Sequence, residues 1–212
     1  MKKTYISRNY KDTKSAGGKA KTDIESIIRA IGYKNVAFKQ THHSYKIIDF
    51  TKNFSGIIKS IFTIPVKGLL VLQYPMKKYY SFVCKIARIK GTKVVTVIHD
   101  LGTFRRKKLN AEKEIKRLSN SDYVIAQNEI MRNWLIENGY KKQLGVLEIF
   151  DYLSESVNTS TEKAPSPKYI VNYAGALTKR KNAFLYEISP YINAFTFQLY
   201  GNGFTDKIEN PD

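Results

Sequence analysis

His99 and Asp100 close the most apolar, β-branched run in the chain, Lys93 to Ile98 (KVVTVI). A carboxylate in that place could accept the proton of an attacking hydroxyl, and an imidazole could orient a sugar or a phosphate. The bland reading stands beside it: Asp100 capping a loop and His99 satisfied by backbone. Arg105-Arg106-Lys107-Lys108 follows, a run suited to a phosphate or lipid head group and equally to a solvated face. Near the amino terminus, Gly17-Gly18-Lys19 precedes an apolar-periodic stretch, so its backbone N–H groups could meet an anion or a sugar hydroxyl, or serve only as a helix entry. It lacks the GxGxxG spacing, which argues against a dinucleotide. Later, YAGALTKRKNAF sets Gly175 after a strand pattern and Lys179 and Lys181 before a helical one, an arrangement suited to a diphosphate. Gly201 and Gly203 end the next strand pattern, where bare backbone can approach a ligand.

Metal chemistry finds no support. His42 and His43 are adjacent and do not converge on one face, and no nearby carboxylate or thiolate completes a set. The single cysteine, Cys84, excludes an internal disulfide and a multi-thiolate site, and its apolar neighbours predict a buried thiol in a reducing, cytoplasmic setting.

Alternating strands and helices must position these groups. Strands are expected at Thr4–Ser7, Asn35–Lys39, Gly68–Tyr74, Lys93–Ile98, Asp122–Gln127 and Gly145–Phe150. Between them, helices are expected at Ala20–Ile31, stopped by Gly32, and at Phe54–Phe62, Lys77–Ile89, Ala111–Ser119 and Glu129–Glu137, stopped by Asn138-Gly139. Trp134 in the last of these reads as core. The order specifies an α/β protein with a mostly parallel, Rossmann-like sheet covered on both faces. A Ser/Thr/Pro-rich linker at 154–168 then separates a complete domain, 1–153, from the start of a second, 169–212. The second has strands at Tyr169–Tyr173 and Phe195–Tyr200 around a helix at Asn182–Ile188, too few for an independent core, so the sequence reads as ending early in that domain.

Charge separates the two parts. The chain carries a formal +18; residues 1–150 hold 30 Lys and Arg against 11 Asp and Glu, a balance of +19, whereas residues 151–212 hold 6 against 7. Such a field draws polyanions: nucleic acid, an anionic membrane surface or phosphorylated substrates. The tyrosines are scattered, without the pattern of a base-stacking platform, so nucleic acid rests on charge alone and is disfavoured. The amino terminus lacks the apolar core of a signal peptide, and the longest apolar stretch, Ile61 to Tyr74, is short and interrupted by Pro65 and Lys67. A cytoplasmic protein, peripheral at the inner membrane face, is the expectation.

Six runs taken in order, AGGKAKTDI (16–24), VIHDLGTFR (97–105), SDYVIAQNEIMRNWL (121–135), IFDYL (149–153), YAGALTKRKNAF (173–184) and FQLYGNGF (197–204), resemble bacterial galactofuranosyltransferases of surface-polysaccharide assembly. Related glucosyltransferases of serine-rich adhesins share the outline. The resemblance implies a GT-B architecture of two Rossmann-like domains, no cofactor and no bound metal. It implies transfer from a UDP-sugar donor to a glycan or lipid-linked glycan acceptor. Gly17, Gly18, His99 and Asp100 would line the acceptor side, and Lys179, where relatives have arginine, would contact the donor diphosphate. Relatives continue well past this length, which leaves open a non-catalytic acceptor-binding or partner subunit that completes its second domain with another chain, and oligomerisation.

Overall fold

The computed structural model describes residues 1–7, 16–38, 45–76, 79–106, 110–148, 153, 170–175, 177–179, 182–188 and 196–201. The chain divides into two compact units, Met1–Glu155 and Ser156–Asp212.

The first unit is a six-stranded, all-parallel sheet: β1 (Lys3–Tyr5), β2 (Lys34–Asn35), β3 (Leu69–Tyr74), β4 (Lys93–Ile98), β5 (Tyr123–Ala126) and β6 (Gln143–Val146). Their spatial order is β2-β1-β3-β4-β5-β6, so the chain reverses direction across the sheet between β1 and β3. The helices are α1 (Ala16–Ala30), α2 (Lys46–Thr63), α3 (Tyr80–Ile89), α4 (Gly102–Arg106), α5 (Ala111–Leu118) and α6 (Glu129–Glu137). This is the expected α/β architecture with Rossmann-like character.

Both faces of the sheet are covered, unequally. Leu70, Leu72, Tyr74, Val94, Ile98 and Val124 pack with Ile57 of α2, Val83, Cys84 and Ala87 of α3, Ile115 and Leu118 of α5, and Met131 and Leu135 of α6. The alternate residues Tyr5, Val71 and Val97 face the other way, onto Ile24 and Ile28 of α1. Successive strand side chains point to opposite faces, so one row of each central strand is dedicated to α1. Cys84 is fully buried, as its neighbours predicted, and burial pushes its thiol up to about 12. Trp134 is partly buried against the larger core and meets Phe104 edge-on at 4.8 Å between ring centres.

The helix ends follow local chemistry. Gly32 and Gly139 adopt φ of 91° and 92° just beyond α1 and α6, a left-handed turn that glycine takes without a side-chain clash. Asn110 and Asn128 accept the backbone N–H groups of Lys113 and Met131 and so cap α5 and α6.

Several boundaries differ from expectation. α1 begins at Ala16, so Gly17 and Gly18 lie in its first turn rather than in a loop before it. α2 begins at Lys46, two turns before Phe54, because its solvent side is as apolar as its core side and leaves no polar stripe to mark the period. α4 was not foreseen; it takes in Arg105 and Arg106, the first two residues of the segment read as a charge run. β6 runs from Gln143 rather than Gly145, in register with Tyr123, and ends before Glu148, whose φ of 69° breaks the extended path. Arg8, Asn9, His42, His43, Lys77, Lys107, Lys108, Phe150, the 154–168 linker, Lys181 and Gly203 lie outside the described residues.

The second unit shows β7 (Ile170–Ala174), α7 (Phe184–Glu187) and β8 (Thr196–Tyr200), with the two strands parallel and Ile170 opposite Thr196. Among the described residues no helix is long and apolar enough to cross a membrane.

Candidate functional site at the carboxyl ends of the strands

In an open parallel sheet the crevice for a ligand forms beyond the carboxyl ends of the strands, where the chain order reverses. Here that place is the end of β1 and β3, with β4 beside them. Continuing the α1-facing row of each strand by two residues leads from Tyr5 to Ser7, from Val71 to Gln73 and from Val97 to His99. The alternation that buries three apolar side chains under α1 therefore delivers three polar ones to the same end.

They meet Glu25, which α1 carries into the same layer. Ser7 donates its hydroxyl to Glu25 Oε2 at 2.6 Å, and Gln73 Nε2 donates to Glu25 Oε1 at 3.4 Å and to the Lys21 carbonyl at 3.1 Å. Gln73 Oε1 lies 2.6 Å from His99 Nε2. Ser7, Glu25 and Gln73 are all buried, and such groups persist in a core only when bonded. Asn35 Oδ1 accepts the Ser7 N–H, and Gln127 from the end of β5 donates to the His99 carbonyl at 2.8 Å, so five strands, β1 to β5, fix the cluster.

This geometry sets the protonation of His99. An amide oxygen only accepts, so His99 Nε2 carries the hydrogen and Nδ1 is left as the proton-accepting nitrogen. Burial, reinforced by the positive charge of Lys21, lowers the imidazole from its ordinary 6.5 to about 4. At neutral pH the ring is an uncharged base. Asp100 follows it, partly exposed.

A second buried acid holds the segment after β4. Glu114 of α5 accepts the backbone N–H groups of Gly102 and Thr103, each at 2.8 Å, the Thr103 hydroxyl at 2.6 Å and the Tyr74 hydroxyl at 2.9 Å. The carboxylate thus sits on the amino terminus of α4, where the helix dipole and the open N–H groups favour negative charge. Burial and the Glu114 carboxylate keep the Tyr74 phenol well above its ordinary range. The residues between His99 and α4 are therefore fixed at both ends.

Of the other residues singled out in the first unit, Gly17 and Gly18 contribute N–H groups from the first turn of α1, which no intrahelical carbonyl can satisfy. Lys19 is already engaged: its ammonium lies 2.8 Å from Asp23 Oδ2 and 2.7 Å from the Leu153 carbonyl, while the Leu153 N–H donates to Asp23 at 3.1 Å. Lys19 and Asp23 clasp the backbone where the first unit ends. Arg105 stands in α4; its side chain lies outside the described residues. Among the described residues no group of three or more His, Cys, Asp or Glu is placed to hold a metal ion.

In the second unit Gly175 donates its N–H to the Tyr200 carbonyl at 2.8 Å, and a side chain on Gly201 would overlap the Gly175 carbonyl oxygen. The two glycines let the loops after β7 and β8 touch, so the backbone that approaches Gly201 is the chain's own. Lys179 lies over the Tyr186 ring at 5.8 Å, and the Tyr186 hydroxyl donates to the Leu177 carbonyl at 2.6 Å, bracing that loop.

Residue reading by type and spacing missed Glu25, Gln73 and Glu114. A signal for one existed. Gln73 is the lone polar residue in LLVLQY, and a polar side chain inside a near-continuous apolar strand needs a buried partner.

The family model for the Glucosyltransferase 3-like, N-terminal domain matches residues 3–149, more than two thirds of the chain. No curated protein matches the sequence.

Proposed function

Since the chain belongs to the glucosyltransferase 3-like family, whose N-terminal domain it carries, we propose that it is a glycosyltransferase, of GT-B type, whose first unit receives the acceptor. The observation that carries this reading is the Ser7–Glu25–Gln73–His99 chain at the reversal point of the sheet, which fixes a neutral imidazole at the carboxyl end of β4.

In the proposed reaction an acceptor hydroxyl attacks the anomeric carbon of a UDP-linked hexose. The new C–O bond forms as the bond to the diphosphate breaks, its electron pair goes to the leaving phosphate oxygen, and the hydroxyl proton passes to His99 Nδ1. Asp100 would hold the acceptor or the resulting imidazolium. Gly17 and Gly18, in the first turn of α1, would line the acceptor side, with Arg105 serving a charged acceptor; Lys19, clasped to Asp23, would act by fixing α1. Lys179 and Lys181 of the second unit are the proposed contacts of the donor diphosphate, whose developing charge lysines stabilise, on the loop that Gly175 and Gly201 allow to pack. The hexose is proposed as galactofuranose or glucose, and the acceptor as a bacterial surface glycan, lipid-linked glycan or glycoprotein on the cytoplasmic side of an anionic membrane.

UDP release measured with UDP-glucose and UDP-galactofuranose, with and without a glycan acceptor, tests the reading. Release that depends on acceptor and disappears in His99→Ala supports it. Acceptor binding without release, from the chain alone and with any candidate partner chain, would instead establish a non-catalytic acceptor-binding subunit.

A further inference from the structure

Helix α2 is apolar on the side that faces away from the sheet. Its core side is built from Gly56, Ile57 and Ser60, with Asp49 buried beside them. At 100° per residue, Ile47, Thr51, Phe54, Ile58 and Phe62 fall within about 80° of one another on the opposite side. Ile47 and Phe62 are each 79% exposed, and Phe50, Phe54 and Ile58 between 41% and 50%. Phe50 and Phe54 stack with their rings nearly parallel, 6.1 Å between centres. A row of this kind running the length of an eighteen-residue helix costs free energy in water and calls for an occupant.

Charge identifies the occupant. Lys46, Lys52 and Lys59 lie on α2, and the helix's single acid, Asp49, is on its buried side. Lys59 reaches over the Phe38 ring at 4.8 Å, and Lys90 donates to the Phe62 and Ile64 carbonyls at the carboxyl end of the helix. Among the described residues, the outer face of α2 thus presents aromatic and aliphatic groups bordered by the helix's own cations, with no acid of the helix on that side. A second copy would bring the same +18, so self-association is opposed by like charge. An anionic bilayer surface matches on both counts: its acyl boundary takes the apolar row, and its head groups take the lysines, whose methylene stems can lie along the boundary.

We propose that the outer face of α2 lies in the interface of an anionic lipid bilayer and holds the first unit at the membrane. The inference deepens the peripheral placement proposed above, but rests on the helix and not on the transfer reaction.

Co-sedimentation of the full chain with phosphatidylcholine vesicles, with and without phosphatidylserine, tests it. The chain should pellet with the phosphatidylserine vesicles and remain soluble with phosphatidylcholine alone. Phe62→Glu or Ile47→Glu should lower the partition constant about tenfold or more. Ile130→Glu on α6, a site 78% exposed, introduces the same charge and removes an equally bared apolar side chain, and should change it by less than about twofold. Circular dichroism confirms that each variant is folded. Failure to pellet, or an equal loss in Ile130→Glu, would overturn the proposal. So would light scattering that shows an oligomer dispersed by Phe62→Glu in place of lipid binding. UDP release from soluble acceptor is read separately, so loss of vesicle binding and loss of transferase activity are distinguishable results.

Discussion

His99 Nε2 stands 2.6 Å from Gln73 Oε1, and this one contact joins the end of β4 to the end of β3 and through Glu25 to α1. It fixes the tautomer of a neutral imidazole in a buried place, which gives the pH behaviour a sign. The folded value of about 4 lies below the ordinary 6.5, so the unfolded chain binds the proton more tightly. Stability is therefore full above about pH 6.5 and falls as the pH drops through 4, by on the order of 3 kcal/mol from this group. NMR titration of the His99 ring should give a value near 4, Lys21→Met should raise it, and His99→Gln should flatten the stability profile in that window. A His99 value near 6.5 in the folded chain would contradict the geometry.

Glu114 predicts a larger loss at neutral pH. Glu114→Ala leaves the Gly102 and Thr103 N–H groups and the Tyr74 hydroxyl without their common acceptor, a cost of about 3 kcal/mol. Tyr74→Phe removes one hydroxyl from a carboxylate that keeps its other partners and should cost about 1 kcal/mol. Urea unfolding of the two single variants and the double variant measures the coupling, and purely additive losses would show that the Tyr74 contact is not part of the network.

Cys84 should be silent in the native state. With its thiol pushed up to about 12 and no exposed surface, it holds a negligible thiolate fraction at pH 8. Labelling by a thiol reagent should proceed only as fast as the chain opens and accelerate by orders of magnitude in denaturant. Fast native labelling would place Cys84 outside the core.

These groups differ in how far the sequence revealed them. KVVTVI and EIMRNWLIE disclosed β4 and α6 with their bounds, because β-branched content and an Asn-Gly stop act locally. His99 was found because it ends such a strand. Glu114 was not, since in AEKEIKRL it is chemically the twin of exposed Glu112, and only the three-dimensional meeting of α5 with Tyr74 and the start of α4 separates them. Glu25 is hidden in the same way, by standing in a helix whose acids look solvated. The early start of α2 escaped for a different reason: a helix that is apolar outward as well as inward has no amphipathic period to read.

The last expectation separates holding from reacting within the cluster. Gln73 touches no substrate in the proposed reaction; it positions His99 by accepting from Nε2, so it acts through the imidazole. Gln73→Leu should free the ring to rotate and to take the other tautomer, lowering kcat about a hundredfold while leaving KM for the donor within about threefold. His99→Ala should lower kcat by about a thousandfold, and Gln73→Leu in that background should add little further, because the residue it positions is gone. Gln73→Glu keeps an acceptor opposite Nε2 while adding a negative charge, so it should restore the orientation and raise the His99 value above 4, shifting the acid limb of the kcat profile upward. A Gln73→Glu variant with an unmoved acid limb, or additive losses in the double variant, would detach Gln73 from the proton transfer and leave it a purely structural bond.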